Sequence, residues 1–351
     1  MNATTPKYVQ VKNRIKEGIR DGTFSGKLPG ERVLVKDFEV SYMTVRKAIN
    51  DLVDEGILHK NTTKGTYVSS RKMTTKTTYN IGFFLDDRIK DGISSPYYSL
   101  VFNALEKEVK EKKYNLTLFS NFDDFNPLNS HKKIDGVIVS CFPRLESKIQ
   151  EIKDFMPVVL IDNLASDKSI PSVTTDNFNS SREAVRYLVS LGHERIAFIT
   201  GLMDSAVCND RYLGYTDVME TSGLGSDKKL VFKGDYSYES GEIGAEEFLS
   251  LKNPPTAIVC ANDSMAIGAM KQIQQYGLKI PGDISVIGFD DIKVSSMVFP
   301  PLTTIAAPVD AISAKTVELL LSMISGNDHE YEHIIMPATL TVRDSCGECR
   351  K

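Results

Sequence analysis

No run of apolar residues in this chain of 351 approaches the roughly 18–20 that a bilayer-crossing helix requires, so no membrane span is expected. The opening residues, MNATTPKYVQVKNRIKEG, lack the apolar core of a secretory signal, and a cytoplasmic address is expected. Catalytic signatures are missing too. There is no G-x-S-x-G elbow, no H-E-x-x-H helix, no G-x-x-x-x-G-K phosphate loop and no G-x-G-x-x-G fingerprint. TSGLGSDKK is rich in glycine but follows a helix rather than a strand, which makes it a loop. Only five histidines occur, none paired at metal-binding spacing on a helix. Neither an enzyme, a metal nor a cofactor is expected. Of the five cysteines, Cys141 and Cys260 lie in apolar runs and fit buried small hydrophobes, while Cys208 has a more polar setting. Cys346 and Cys349 form a lone C-x-x-C to which zinc would need two further ligands, so a frayed, reduced tail is expected over 347–351.

What is present is ordinary for a globular protein, with 41% hydrophobic and 25% charged residues and length enough for two or three domains. The net charge of −4 is unevenly spread. Residues 1–72 hold 14 Lys and Arg against 8 Asp and Glu, a balance of +6, and the remainder carries −10. A small basic head on an acidic body points to a polyanion as the partner of the head.

Within that head, VSYMTVRKAINDLVDEG has the three-four spacing of an amphipathic helix in Val45, Ala48, Ile49, Leu52 and Val53. Ser41 suits its N-cap and Gly56 its C-terminal end. Its charges run against the helix dipole, because Arg46 and Lys47 lie in the first half and Asp51, Asp54 and Glu55 near the end. Before it, Tyr8, Val11, Ile15 and Ile19 make a first helix ended by Gly22, and a short second helix spans about 31–38. After it, Ile57–Val68 has the pattern of a two-stranded hairpin. Three helices and a hairpin make a winged helix-turn-helix, whose third helix enters the major groove. Ser41, Tyr42, Thr44, Arg46 and Lys47 could then reach DNA, with Arg46 suited to guanine and Lys47 to phosphate.

The strings LPGER, VSYMTVRKAINDLVDEG and KGTYV closely resemble the DNA-binding domain of GntR-type bacterial repressors. The resemblance implies DNA contacts at Arg32, Thr44, Arg46 and the wing glycine Gly65. Tyr42 departs from it, because an Arg usually follows the Ser there, so the operator is expected to differ at that base.

SSRKMTTKTTYN is polar, threonine-rich and aperiodic, and 69–79 is expected to be a linker between a head over 1–68 and a body over 80–346. In the body, apolar runs (IGFFL, LTLF, GVIVS, PVVLI, RIAFITG, LVF, TAIVCA, SVIGF) alternate with amphipathic segments. That is the pattern of parallel α/β sheets covered on both faces, and two lobes are expected for this length. Ligands of such sheets bind beyond the carboxyl ends of the strands. Polar residues gather there: Asp162 and Asn163 after PVVLI, Asp235 and Tyr236 after LVFKG, Asn262 and Asp263 after TAIVCA, and Asp290 and Asp291 after SVIGF. Asp263 and Asp291 are equally well explained as caps of the following helices, and Tyr97 and Tyr98 as core aromatics.

VTTDNFNSSREAVRYLVSLGHERIAFITG, ANDSMAIGAM, IPGDISVIGFDD and LTVRDSC resemble the effector domain of LacI/GalR-type repressors over about 79–346. The resemblance implies a periplasmic-binding-protein-like fold with an effector between the lobes, touching Tyr98, Asp162, Arg211, Tyr236, Asn262 and Asp290, with Tyr97 beside them. It gives His193 a structural part at a helix-to-strand turn. A GntR-type head on such a body is the architecture of arabinose-repressor-type regulators. The chain is therefore expected to be a homodimeric transcription factor, a repressor of double-stranded operator DNA switched by a neutral monosaccharide. Arg211 could fork onto two adjacent hydroxyls, the carboxylates could accept from hydroxyls, and a tyrosine could cover the apolar face of a ring. Two carboxylates beside one arginine disfavour an anionic effector. A purine effector is the alternative, and a sugar-binding protein or enzyme without a DNA role ranks below it.

Overall fold

The computed structural model describes residues 6–20, 23–24, 26–54, 57–61, 65–68, 77–119, 134–140, 146–153, 156–165, 167–225, 227–326 and 333–349. The expectations placed on Gly22, Glu55, Gly56, Cys141, the tip of the hairpin and linker residues 69–76 lie outside this set. The chain divides into two compact units that part after Thr78.

In the first unit, α1 (Lys7–Arg20), α2 (Glu31–Phe38) and α3 (Tyr42–Asp54) precede the antiparallel pair β1 (Leu58–Asn61) and β2 (Gly65–Val68). The apolar stripes meet in one small core: Val11 and Ile15 of α1, Leu34 of α2, and Val45, Ala48, Ile49 and Leu52 of α3, closed by Ile57 and Leu58. Ser41 caps α3, since its Oγ accepts from the Thr44 N–H at 3.2 Å. Lys27 bridges to Tyr67, and Leu28 N–H donates to the Thr66 carbonyl, so the wing has a short third strand.

The second unit holds two parallel sheets. In chain order its first lobe has β3 (Asn80–Leu85), α4 (Pro96–Glu111), β4 (Asn115–Phe119), β5 (Gly136–Ser140), α5 (Glu146–Lys153), β6 (Val158–Ile161) and β7 (Ser172–Thr175). The chain then crosses to the second lobe: α6 (Asn177–Ser190), β8 (Ile196–Thr200), α7 (Ala206–Thr221), β9 (Val231–Lys233), α8 (Tyr238–Leu249), β10 (Ala257–Cys260), α9 (Asp263–Gln275), β11 (Ser285–Asp290) and β12 (Thr303–Ala306). It returns for α10 (Val309–Ile324) and β13 (His333–Met336), and crosses a third time into β14 (Thr339–Thr341). The sheet orders are β13-β7-β6-β5-β3-β4 and β14-β12-β11-β10-β8-β9, every pairing parallel except β12 with β14. Buried strands such as β5, β6, β8, β10 and β11 are the continuous apolar runs of the sequence. The sequence pattern misses β7, β12, β13 and β14, because these strands are short and all but β13 (HIIM) mix Thr or Ser with their apolar residues.

Three details correct the sequence reading. The tail is not frayed through Cys349: Gly347 N–H donates to Ser285 Oγ (3.1 Å) and Cys349 N–H to the Leu191 carbonyl (2.8 Å). Asp263 does not cap α9, a part taken by Asn262, whose Oδ1 accepts from Met265 N–H. Asp291 caps no helix among the described residues either, and is ion-paired with Arg343 at 2.6 Å. His193 does hold its turn: Nε2 donates toward the Gly347 carbonyl (3.1 Å), which leaves Nδ1 to accept from Thr256 Oγ1 (3.0 Å).

Candidate functional site

In the body, the strand ends of both lobes bring together the polar residues singled out from sequence. The centre is Arg211, carried on α7 and only 4% exposed. Its guanidinium lies over the Phe289 ring, 3.6 Å from the centroid. Nε donates to Asn177 Oδ1 (2.8 Å), and Nη1 donates to the Ala261 carbonyl and lies 3.6 Å from Asp290 Oδ1. The fork expected to grip two hydroxyls through both terminal nitrogens is thus partly used inside the protein. Nη2 takes no bond among the described residues and keeps both its hydrogens.

Asp162 comes from the other lobe, one residue past β6, with a left-handed backbone (φ 55°) that aims its carboxyl away from the strand direction. It is buried, and its Oδ1 has no hydrogen-bond partner. Burial raises its pKa, opposed by the charge of Arg211 and a hydrogen bond from Tyr97. Asp290, the last residue of β11, also has positive φ (112°), and burial pushes its pKa well above the usual carboxylate range. Tyr97 and Tyr98 open α4 after Pro96 and pack edge to face with centroids 5.3 Å apart. Ser140 Oγ donates to Tyr98 Oη at 3.4 Å. Burial, reinforced by Asp162, raises the pKa of both phenols, so both remain protonated donors at neutral pH.

Tyr236 and Asn262 belong to the same strand-end face but are more engaged with the protein. The Tyr236 ring lies on Gly201 so closely that a Cβ there would fall 2.1 Å from it, and its hydroxyl bonds with Cys208. Asn262 caps α9 with Oδ1 and donates through Nδ2 to the Tyr236 carbonyl (3.0 Å). Cys208 itself is fully buried and accepts from Gly201 N–H, which resolves its polar sequence setting as a packed thiol.

Sequence reasoning missed four contributors. Asn177 and Phe289 shape Arg211 from either side, and the signal for Asn177 was its place after a strand end in TTDN. At the mouth, Arg88 of the first lobe reaches Asp204 of the second at 2.6 Å while lying against buried Asp86. Lys90 similarly meets Glu239 at 3.4 Å. These pairs join the lobes across the cleft.

In the head, Arg32, Ser41, Tyr42, Arg46 and Lys47 are all exposed, and Thr44 is half-buried beside Ser41, with 2.7 Å between their hydroxyl oxygens. Arg46 makes no ion pair among the described residues, whereas Lys47 stands over the Tyr8 ring at 3.9 Å. Tyr42 hydrogen-bonds with Glu31, which raises its pKa. Gly65 begins β2 with φ 109°, a conformation side chains resist, and a Cβ there would meet Lys27 at 3.1 Å.

Comparison with known proteins covers both units. Residues 7–68 match the family described as bacterial regulatory proteins of the gntR family, and residues 185–346 match the periplasmic binding protein-like domain. The probable HTH-type transcriptional repressor ExuR of Bacillus subtilis is 33% identical over 285 residues, 79% of this chain and 84% of that one. The HTH-type transcriptional repressor CytR of Escherichia coli K12 is 32% identical over 262 residues, 72% of this chain and 76% of that one. Among solved structures, a sugar-binding transcriptional regulator of the LacI family from Escherichia coli superposes with TM-score 0.64 at 29% identity, covering 78% of this chain and all of that one. These relatives are transcription regulators rather than enzymes. The chain belongs to the bacterial helix-turn-helix transcriptional repressors with a LacI-type, periplasmic-binding-protein-like body, and it carries a GntR-type DNA-binding head.

Proposed function

We propose that this repressor is released from, or fixed on, its operator by a neutral monosaccharide bound between the two lobes of the body. The observation that carries the reading is Asp162 Oδ1, a buried carboxylate oxygen without a partner, facing the Arg211–Asp290 pair. A buried polar atom of this kind calls for a donor, and a sugar hydroxyl supplies one while accepting from Arg211 Nη2. Asp162 and Asp290 are buried acids that already resist ionisation, and a carboxylated or phosphorylated ligand would bring a further negative charge beside them, which opposes such a ligand. Tyr97 and Tyr98 supply ring edges and faces for the C–H surface of the sugar.

At the DNA, Arg46 is the proposed guanine reader and Arg32, Ser41, Thr44, Lys47 and Gly65 position the helix and wing on the backbone. Tyr42 replaces a guanidinium with a phenol and shifts the preferred base. Two copies pair, so that two heads meet the two halves of an operator. The body exposes Met297 (71%) and Phe299 (86%) just before β12, apolar side chains that a second copy would cover.

The test is the melting temperature of the full-length protein against neutral monosaccharides, purines and their nucleosides, and sugar phosphates. A ligand at about 100 times its dissociation constant adds roughly 2.7 kcal/mol. One neutral sugar should stand out, and Arg211→Ala should abolish its shift while operator binding in a mobility assay persists. Arg46→Ala should do the reverse, weakening operator affinity by about 1–3 kcal/mol. A shift by a purine alone would replace the sugar reading and leave the repressor intact.

A further inference from the structure

Asn177 is the first residue of α6, immediately beyond the point where the chain leaves β7 for the second lobe. It is 2% exposed, far more buried than a first-turn polar residue needs to be. Its amide Nδ2 donates back to the Thr175 carbonyl at 2.8 Å, with Thr174 Oγ1 at 3.4 Å, both on the first-lobe side of the crossover. Its Oδ1 accepts from Arg211 Nε at 2.8 Å. The cap of α6 is supplied separately by Asp176, whose Oδ1 accepts from Asn179 N–H, so capping does not explain Asn177.

Arg211 reaches a second crossover as well. Nη1 pairs with Asp290, and the Asp290 carbonyl accepts from Ala307 N–H (3.4 Å), inside the stretch between β12 and α10. The Phe289 ring under the guanidinium fixes its plane. One side chain in the cleft is therefore hydrogen-bonded or ion-paired to residues that border two of the three interlobe connections.

We infer that Asn177 is a positioning residue that fixes Arg211 in the cleft and ties its orientation to the β7–α6 and β12–α10 crossovers. This rests on the cleft being the effector site, as proposed above, and adds the route by which occupancy reaches the hinges. A ligand that draws Arg211 Nη2 toward itself pulls on Nε and Nη1 together, because the guanidinium is rigid and planar. The two crossovers then respond in concert. Coupling of this kind needs an element with two arrangements that both sites bias, and lobe closure about the crossovers is that element.

The test does not require the effector. Amide hydrogen exchange of the full chain is compared between wild type and Asn177→Ala, with Asn177→Asp as a variant that keeps the acceptor for Arg211. In Asn177→Ala, exchange should rise about 5-fold or more at 174–178 and also at 305–309, to which Asn177 makes no hydrogen bond among the described residues, while the β8 and β10 strands keep their protection. In Asn177→Asp the second crossover should stay protected. A rise confined to 174–178, or one spread evenly through both lobes, would mean a local structural part and sink the proposal. A rise at both crossovers alongside a monosaccharide panel that leaves the melting temperature unmoved would keep this wiring and discard the sugar.

Discussion

Burying a carboxyl disfavours its charged form, and Asp162, Asp263 and Asp290 are all buried at the strand ends of the body. Asp263 is the most enclosed. Burial pushes its pKa up to about 7, although Ser295, Thr304 and the Ile292 N–H all donate to it. A folded-state value above the unfolded one, near 3.9, means the stabilising contribution is complete below about pH 4 and is lost as pH rises through about 7. His193 has the opposite sign: burial lowers its pKa, so its contribution is present above about pH 6.5 and is lost as pH falls through the depressed folded value. Urea unfolding at pH 5 and pH 8 separates them. Asp263→Asn should flatten the decline toward pH 8 even though the stranded donors lower stability at both pH values. An unaltered difference between the two pH values would show that Asp263 titrates like an exposed carboxyl. Neither behaviour was legible in the sequence, where Asp263 had the pattern of a helix cap; its confinement comes from loops and strands up to 41 residues away in the chain.

Helices α8 and α9 approach each other through glycine. A Cβ on Gly241 would lie 2.0 Å from the Met265 carbonyl oxygen, and one on Gly268 would lie 2.0 Å from that of Tyr238. Backbone meets backbone there, so no side-chain rotation can relieve an added methyl group. Gly268→Ala should destabilise by about 3 kcal/mol, the upper end for overpacking. The expected drop in melting temperature, several degrees, is read by calorimetry; a change of under one degree would mean the helices part without penalty. The pair carries Tyr236 and Asn262 at its edges, so the same variant should also blunt ligand binding. Helix α9 was recognisable from its apolar periodicity, but α8, with its run YESGEIGAEEF, was not, since its packing face is built from small residues that carry little hydrophobic signal.

For the whole molecule, the uneven charge separates two kinds of binding. The head offers exposed Arg32, Arg46 and Lys47 to a polyanion, so operator affinity should fall steeply with salt, by roughly 0.9 in the logarithmic slope per phosphate neutralised. A neutral ligand enclosed among Arg211, Asp162 and Asp290 releases no counterions, and its affinity should be flat over the same range. Titration calorimetry from 50 to 300 mM salt, on the order of the range where such screening changes, distinguishes the cases. A ligand affinity that also falls steeply would reveal an anionic effector.

The order of helices and hairpin in the head, the alternating α/β pattern of the body and the gathering of Asp, Asn and Tyr at strand ends were all readable from the chain. Each depends on local periodicity, on capping chemistry or on which residues can end a strand, and these act over a few neighbouring positions. The partners of those residues were not readable. That Arg211 would lie on Phe289, give Nε to Asn177 and leave Nη2 for a ligand depends on residues 34 and 78 positions away in sequence meeting at one place. The same holds for the Arg88–Asp204 pair between the lobes, which joins the loops that follow β3 and β8, strands of different sheets. Periodicity determines which face of an element is buried, whereas the crossing of the chain between two lobes decides which buried side chains face one another.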